Sequence, residues 1–214
     1  MKIREIGIDE AGKGPVIGSM FVAGVVNYGG LETLGVRDSK QVSPARREVL
    51  ADRLASATEV FVLELTAEEI DRARETRTMN ELMVELFAAV ILHLRPDRAI
   101  VDAADVNPAR FGAKLRARYE QECGRAIAVV SESKADVHYP VVSAASIVAK
   151  VQRDRSIRAL ESRLGVKIGS GYPADQVTIA YLQGLLRSCR YADIPGYVRK
   201  SWKTVHLYSP KRYD

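Results

Sequence analysis

The run Gly7-Ile8-Asp9-Glu10-Ala11-Gly12-Lys13-Gly14-Pro15 closes an apolar, alternating stretch with two adjacent carboxylates and follows them at once with a cation set between glycines. Neighbouring like charges repel, so a fold that holds both acids beside glycine backbone calls for a positive charge there. Two further aspartates also sit where strands are expected to end. They are Asp102 in Ala99-Ile100-Val101-Asp102-Ala103 and Asp136 in Ser133-Lys134-Ala135-Asp136. If these strands neighbour one another, three chain segments deliver four carboxylates to one sheet edge, and such a site holds divalent metal.

The chain has 214 residues, 47% of them hydrophobic, which suits one large domain with a sizeable core. A strand pattern begins within a few residues of Met1 and no apolar run is long enough to cross a bilayer, so the expectation is a soluble, cytoplasmic, monomeric protein. Cys123 and Cys189 belong to no CxxC pair and read as buried or half-buried free thiols. Residues 1–139 carry 19 Lys and Arg against 22 Asp and Glu, whereas residues 140–214 carry 13 against 5. An acidic first part and a basic last part suit a polyanion held by one region and processed in the other, although charge alone favours a solvated basic helix face.

Alternation marks strands over residues 2–9 and 17–27, with a short third strand over 31–36, which together suggest an antiparallel meander. Ser43-Pro44 has the N-cap and first-turn residues of a helix running to about residue 56, and residues 58–65 read as another strand. Thr66 with Glu69 and Thr78 with Glu81 match the capping box. After Thr78, Leu82, Met83, Leu86, Phe87, Val90, Ile91 and Leu94 form a wide apolar stripe that belongs in the core. Strands are expected at 97–102 and 126–131, separated by a helix capped near Asn107-Pro108, and helices at 140–163, 173–186 and 197–207. The fold class is therefore α/β, a mixed sheet flanked by helices.

Phosphodiester hydrolysis needs an activated water and a stabilised leaving oxygen, and two metal ions about 4 Å apart can serve both ends of the displacement. Asp9, Glu10, Asp102 and Asp136 are the oxygen donors for that task, with Mg²⁺ or Mn²⁺ as the expected ions. Taken singly, each acid has a plainer explanation: Asp102 and Asp136 cap the turns or helices that follow them, and Glu10 is an exposed edge residue.

Five ordered stretches carry a family resemblance: Asp9-Glu10-Ala11-Gly12-Lys13-Gly14-Pro15; Asp38-Ser39-Lys40; Val101-Asp102-Ala103; Lys134-Ala135-Asp136 with Tyr139-Pro140-Val141-Val142-Ser143-Ala144-Ala145-Ser146-Ile147; and Gly169-Ser170-Gly171-Tyr172-Pro173. In order and content the chain resembles ribonuclease HII, above all its archaeal form and the catalytic subunit of the eukaryotic counterpart, as far as Val198-Arg199-Lys200-Ser201-Trp202. The resemblance implies a ribonuclease H-like fold with a C-terminal helical extension over about residues 165–214. It also implies metal-dependent cutting of RNA in RNA/DNA hybrids and on the 5′ side of single ribonucleotides in duplex DNA, leaving 3′-hydroxyl and 5′-phosphate ends. Asp9, Glu10, Asp102 and Asp136 match the family's metal-binding acids, Gly12, Lys13 and Gly14 its 2′-hydroxyl-reading loop, and Tyr172 the tyrosine that senses the RNA–DNA junction. Lys40, Ser143, Ser146, Lys150, Arg199 and Lys200 are further expected substrate contacts, and Arg153 a candidate phosphate contact.

Lys13 stands where the family usually has arginine, which replaces a planar fork by a point charge. Ser133 stands where histidine is common, and His138 reads as solvent-exposed. The C-terminal residues 209–214 show no peptide for docking on a sliding clamp. Residues 7–13 also spell an incomplete P-loop, but Gly14 lacks the required hydroxyl and two acids would face the phosphates. Two other readings stay open on the residues alone: a non-catalytic nucleic-acid binder, and another nuclease of the same fold.

Overall fold

The computed structural model of the chain describes residues 3–36 and 43–209, so Lys40 and its Asp38-Ser39-Lys40 motif lie outside the described residues. Among those residues five strands make one mixed sheet in the order β3-β2-β1-β4-β5. They are β1 (Glu5–Ala11), β2 (Met20–Asn27), β3 (Val60–Leu65), β4 (Arg98–Asp102) and β5 (Ala128–Glu132). β1 pairs antiparallel with β2, whereas β4 runs parallel to both β1 and β5. The helices are α1 (Pro44–Ala57), α2 (Ala67–Arg74), α3 (Met79–Leu94), α4 (Pro108–Cys123), α5 (Ala135–His138), α6 (Pro140–Leu164), α7 (Gln176–Ser188) and α8 (Lys203–Tyr208). None of them is long and apolar enough to cross a membrane.

The described residues fall into two compact units. One takes those within Met1–Ala11, Phe21–Glu64 and Thr78–Gln152, and the other those within Gly12–Met20, Leu65–Arg77 and Arg153–Asp214. The helical region expected from residue 165 thus belongs to a unit that begins at Arg153 and draws in two earlier segments.

In the first unit the sheet is covered on both faces. α3 lies on one face, where Gly24 leaves room for the Val90 and Leu94 side chains; a methyl on Gly24 would come within 2.5 and 2.7 Å of them. Both capping boxes form, Thr66 with Glu69 ahead of α2 and Thr78 with Glu81 ahead of α3. On the opposite face Ala23, Val25 and Ile100 meet Val141, Val142, Ala145 and Val148 of α6 and Leu50 and Leu54 of α1. Each Val, Leu or Ile side chain buried there contributes about 1.5–3 kcal/mol relative to exposure. The tightest approach is at Gly7, where an added methyl would stand 2.3 Å from the Val141 carbonyl.

The second unit has its own core, in which Val16 and Ile17 join Ile157 and Leu160 of α6, Ile168, Leu182 and Leu186 of α7, and Val198 and Val205. Ile17 and Val198 form an isolated antiparallel bridge.

Four expectations are corrected. Residues 31–36 are not a third strand: Leu31–Leu34 is a 3₁₀ turn between Gly30 and Gly35, both left-handed at φ 81° and 78°. The Thr33 hydroxyl donates to the Gly30 carbonyl, a local bond that competes with strand pairing, and the third strand of the first half is β3. Asp136 does not end a strand but lies in α5, one short turn beyond β5. Residues 197–202 are not helical, because the Tyr197 carbonyl and the Arg199 amide are taken by Gly18 and Val16, and helix begins only at Lys203. Cys123 is exposed at the end of α4, whose buried face stops at Tyr119, while Cys189 is half-buried.

Gly7→Ala is expected to cost about 3 kcal/mol, since backbone on both sides of the contact has to move. Chemical denaturation of the variant measures it, and a change below 0.5 kcal/mol, about the scale of a surface substitution, contradicts the close contact between β1 and α6.

Candidate active site

Strand geometry decides which acids meet. Side chains alternate across a strand, so Asp9 shares the face of Gly7, the one covered by α6. In the parallel register Gly7 pairs with Ile100 and Ile8 with Val101, so one step further Asp9 lies beside Asp102 on that same face. Glu10, next along β1, alternates toward the other face and is half-buried. The Glu10 amide donates to Asp9 Oδ1 at 2.7 Å.

Asp102 in turn reaches the short helix that carries the next acid. Its Oδ1 accepts the Ala135 amide at 2.9 Å, satisfying one of the first free N–H groups of α5. Lys134, just before that helix, is in the left-handed region at φ 60°, a conformation that costs about 1–2 kcal/mol in a non-glycine residue. Asp136 follows and is buried, with 6% of its surface exposed.

Asp9 is equally buried at 6%. Burial first, then the charges of Glu10 and Asp102, raise its carboxyl well above the usual aspartate range, against the opposing effect of hydrogen bonds to the Ser146 side chain and the Glu10 amide. Ser146 is therefore a partner of Asp9, on the face of α6 that Gly7 lets approach. In kind, these donors suit a hard divalent cation: oxygens only, with negative charge uncompensated at Asp9. Among the described residues no three His, Cys, Asp or Glu side chains form a group that could hold a metal ion. The two acids brought side by side, Asp9 and Asp102, fit an ion held by one or two carboxylates that keeps waters in its shell.

The expected substrate contacts divide by unit. In the first, Ser143 is fully buried with its hydroxyl donating to the Val36 carbonyl, so the expected substrate contact there is replaced by a core hydrogen bond. Lys150 is half-buried on α6.

The second unit holds Gly12, Lys13, Gly14 and Tyr172. Gly12 has φ 96°, and a methyl there would stand 2.8 Å from the Ser19 carbonyl, so the turn requires glycine at this position. Arg199 is fully buried and corrects its expected role as a phosphate contact. Its guanidinium donates to the carbonyls of Gly12 at 2.6 Å, Lys13 at 3.0 Å and Gly18 at 2.9 and 3.0 Å. Burial, and behind it the charge of Arg153, lowers the Arg199 guanidinium to about 9, which leaves it protonated at neutral pH. The Trp202 indole lies under that guanidinium at 4.8 Å and donates to the Gly14 carbonyl at 3.1 Å. Arg153, 2% exposed, likewise donates to the carbonyls of Ile17 and Ser170.

Tyr172 is 38% exposed on the loop before α7. That loop is tied down by Asp175, which accepts the Ser170 amide and hydroxyl at 2.6 and 2.8 Å and is lowered to about 2, first by the amide bond. The Gly171 carbonyl accepts the amides of Val16 and Ile17. A methyl on Gly14 would stand 3.5 Å from the Tyr172 ring, so the 12–14 turn and Tyr172 are in neighbouring positions. Lys200 is half-buried, and its amide donates to Asp71.

The role of the two arginines as clamps on backbone carbonyls was missed by sequence reasoning. A signal existed for Arg153, which falls in line with Ala149, Ile157 and Leu160 on the buried stripe of α6. No comparable pattern marks Asp71, which accepts the Lys200 and Ser201 amides.

A mixed five-stranded sheet flanked by helices, with acids at the ends of adjacent strands β1 and β4, has the architecture of the ribonuclease H-like nucleases. The family model described as Ribonuclease HII matches residues 6–205. A Ribonuclease HII from Methanothrix thermoacetophila is 50% identical over 205 residues, 94% of each chain. Among solved structures, the ribonuclease HII in a PCNA complex from Archaeoglobus fulgidus has a TM-score of 0.86 at 41% identity, covering 94% of this chain and 96% of that one. Ribonuclease H2 from Pyrococcus horikoshii OT3 also gives 0.86, at 39% identity and with 96% and 97% covered. The chain belongs to the ribonuclease HII family. It is an endoribonuclease, a hydrolase with ribonuclease H activity on RNA/DNA hybrids.

With divalent cations chelated, Asp9→Asn is expected to raise the melting temperature at neutral pH, by about 2–4 °C for each kcal/mol of relief. Because the folded pKa lies above the ordinary 3.8, the folded state binds the proton more tightly, and stability is lost as pH rises from that value through the folded pKa. Asn escapes this loss, so the gain shrinks as pH falls and vanishes below 3.8. Melting curves across that range test it; an Asn variant that melts lower at neutral pH contradicts the assignment.

Proposed function

We propose that Asp9, Glu10, Asp102 and Asp136 hold divalent cations, Mg²⁺ or Mn²⁺, and that the enzyme cuts on the 5′ side of a single ribonucleotide in duplex DNA as well as within RNA/DNA hybrids. The supporting observation is the buried Asp9 beside Asp102, two acids on one sheet face whose mutual repulsion a cation relieves. Cations held there would supply a nucleophilic water at neutral pH and stabilise the leaving oxygen, consistent with 3′-hydroxyl and 5′-phosphate products. The chain's own residues orient the donors. Ser146 and the Glu10 amide hold the Asp9 carboxylate, and the Ala135 amide holds that of Asp102.

On this reading the backbone of Gly12, Lys13 and Gly14 meets the 2′-hydroxyl, the group that separates RNA from DNA, and Tyr172 stacks at the junction with the following deoxyribose. Backbone recognition tolerates Lys13 in place of arginine, because the Lys13 carbonyl rather than its side chain is what Arg199 fixes. Lys13, Lys150 and Lys200 remain proposed contacts to phosphate. The reading needs a single chain only. The Archaeoglobus fulgidus relative is described in complex with PCNA, which makes a sliding clamp a second partner to test by pull-down.

The decisive measurement is incubation with three duplexes: DNA with one ribonucleotide, all-DNA, and an RNA/DNA hybrid, each with and without EDTA. Cutting of the first and third, abolished by EDTA and by Asp102→Asn, is expected; equal cutting of the all-DNA duplex removes the proposed specificity. Tyr172→Phe keeps the ring but removes its hydroxyl, and a loss of about tenfold in kcat/KM at an isolated ribonucleotide is expected from one displaced substrate contact. Unchanged kinetics would return Tyr172 to a structural role.

A further inference from the structure

In the second unit the segment from Tyr197 to Trp202 takes up nearly every carbonyl of the turn that follows β1. Arg199 accounts for Gly12, Lys13 and Gly18 through its side chain and Val16 through its amide, and Trp202 for Gly14. The guanidinium does this as a fork: Nη2 reaches Gly12 and Gly18, Nη1 reaches Lys13, and Nε reaches Gly18. Only a planar group with donors on several edges can span these oxygens, and a lysine point charge cannot.

Peptide planarity gives this arrangement a consequence on the other side of the turn. In a trans peptide the carbonyl of one residue and the N–H of the next point in opposite directions, and the described residues contain no cis bonds. With the Gly12 and Lys13 carbonyls drawn toward Arg199, the Lys13 and Gly14 N–H groups are turned away from it. The third peptide has no such donor, because Pro15 follows Gly14. The turn therefore presents a pair of successive amides in a geometry set by a residue 186 positions later in the chain.

We propose that Arg199, seconded by Trp202, is a positioning residue for the 12–14 turn, and that this clamp from the C-terminal segment sets how strongly the enzyme prefers a ribonucleotide over a deoxyribonucleotide. The proposal rests on the reading that the 12–14 turn meets the 2′-hydroxyl. Arg199 itself touches no substrate: it is fully buried, and it acts through the backbone it holds.

The test measures binding, in the presence of Mg²⁺, in an Asp102→Asn background that does not cut. Affinities are taken by fluorescence anisotropy for a duplex with one ribonucleotide and for the all-DNA duplex of the same sequence, with melting curves as a check on folding. The background protein is expected to prefer the ribonucleotide duplex. Adding Arg199→Lys is expected to reduce that preference by about tenfold or more while affinity for the all-DNA duplex is kept, as small misplacements of a recognition group do. A purely structural arginine would lower both affinities together or leave their ratio alone, and an unchanged ratio in a folded Arg199→Lys protein overturns the proposal. If that variant does not fold, Trp202→Phe decides by the same ratio, since it keeps the ring and removes only the N–H on the Gly14 carbonyl; an unchanged ratio there overturns the proposal too. A background protein with no preference at all would instead sink the reading of the turn on which the proposal stands.

Discussion

The contact between β1 and α6 at Gly7 is what the rest of the first unit depends on. The absence of a side chain at this one position lets the start of α6 lie against the strand, with backbone nearly touching where a methyl would go. From there the strand period of two sets which side chains face α6. Asp9 faces the same helix and finds Ser146 on it, and Asp102, one register step along the neighbouring parallel strand, joins it. The parallel pairing of β1 with β4 is needed as well, because it brings the C-terminal ends of both strands, and hence both acids, to one edge of the sheet.

Asp9 in the first unit and Arg153 and Arg199 in the second are buried charged groups, accommodated in different ways. Asp9 is buried among other acids and responds by holding its proton more tightly. Carboxyls perturbed in this way cluster at functional sites. Arg153 and Arg199 are buried among carbonyl oxygens, and their charge is absorbed by several backbone dipoles. Such a bond network leaves oxygens without partners if the side chain is removed, each at a cost of about 1–3 kcal/mol, so the clamp is rigid as well as specific.

Much of the chain is legible locally. Ser43-Pro44, Thr66 with Glu69, Thr78 with Glu81, and Asn107-Pro108 announce helix starts because a side chain and its own nearby amides form the bond. The apolar stripe of α3 is core as its spacing requires. The failures share a cause. Residues 31–36 have strand-like composition, but the place beside β2 where a meander would put them is taken by β3. Residues 197–202 have a helical pattern, but their amides and carbonyls bond to a segment far away in the chain.

The family, the helix caps, the α/β class and the four acids as a candidate set were legible in the chain alone, because ordered motifs and side-chain periodicity are properties of neighbouring residues. Folding in three dimensions set which acids share a face, placed Asp136 on a short helix anchored by Asp102, made Ser143 a core residue and brought Arg199 onto the glycine turn. Those outcomes depend on register and on hydrogen bonds between residues more than thirty positions apart, and no local pattern specifies which distant partner a buried polar group will find.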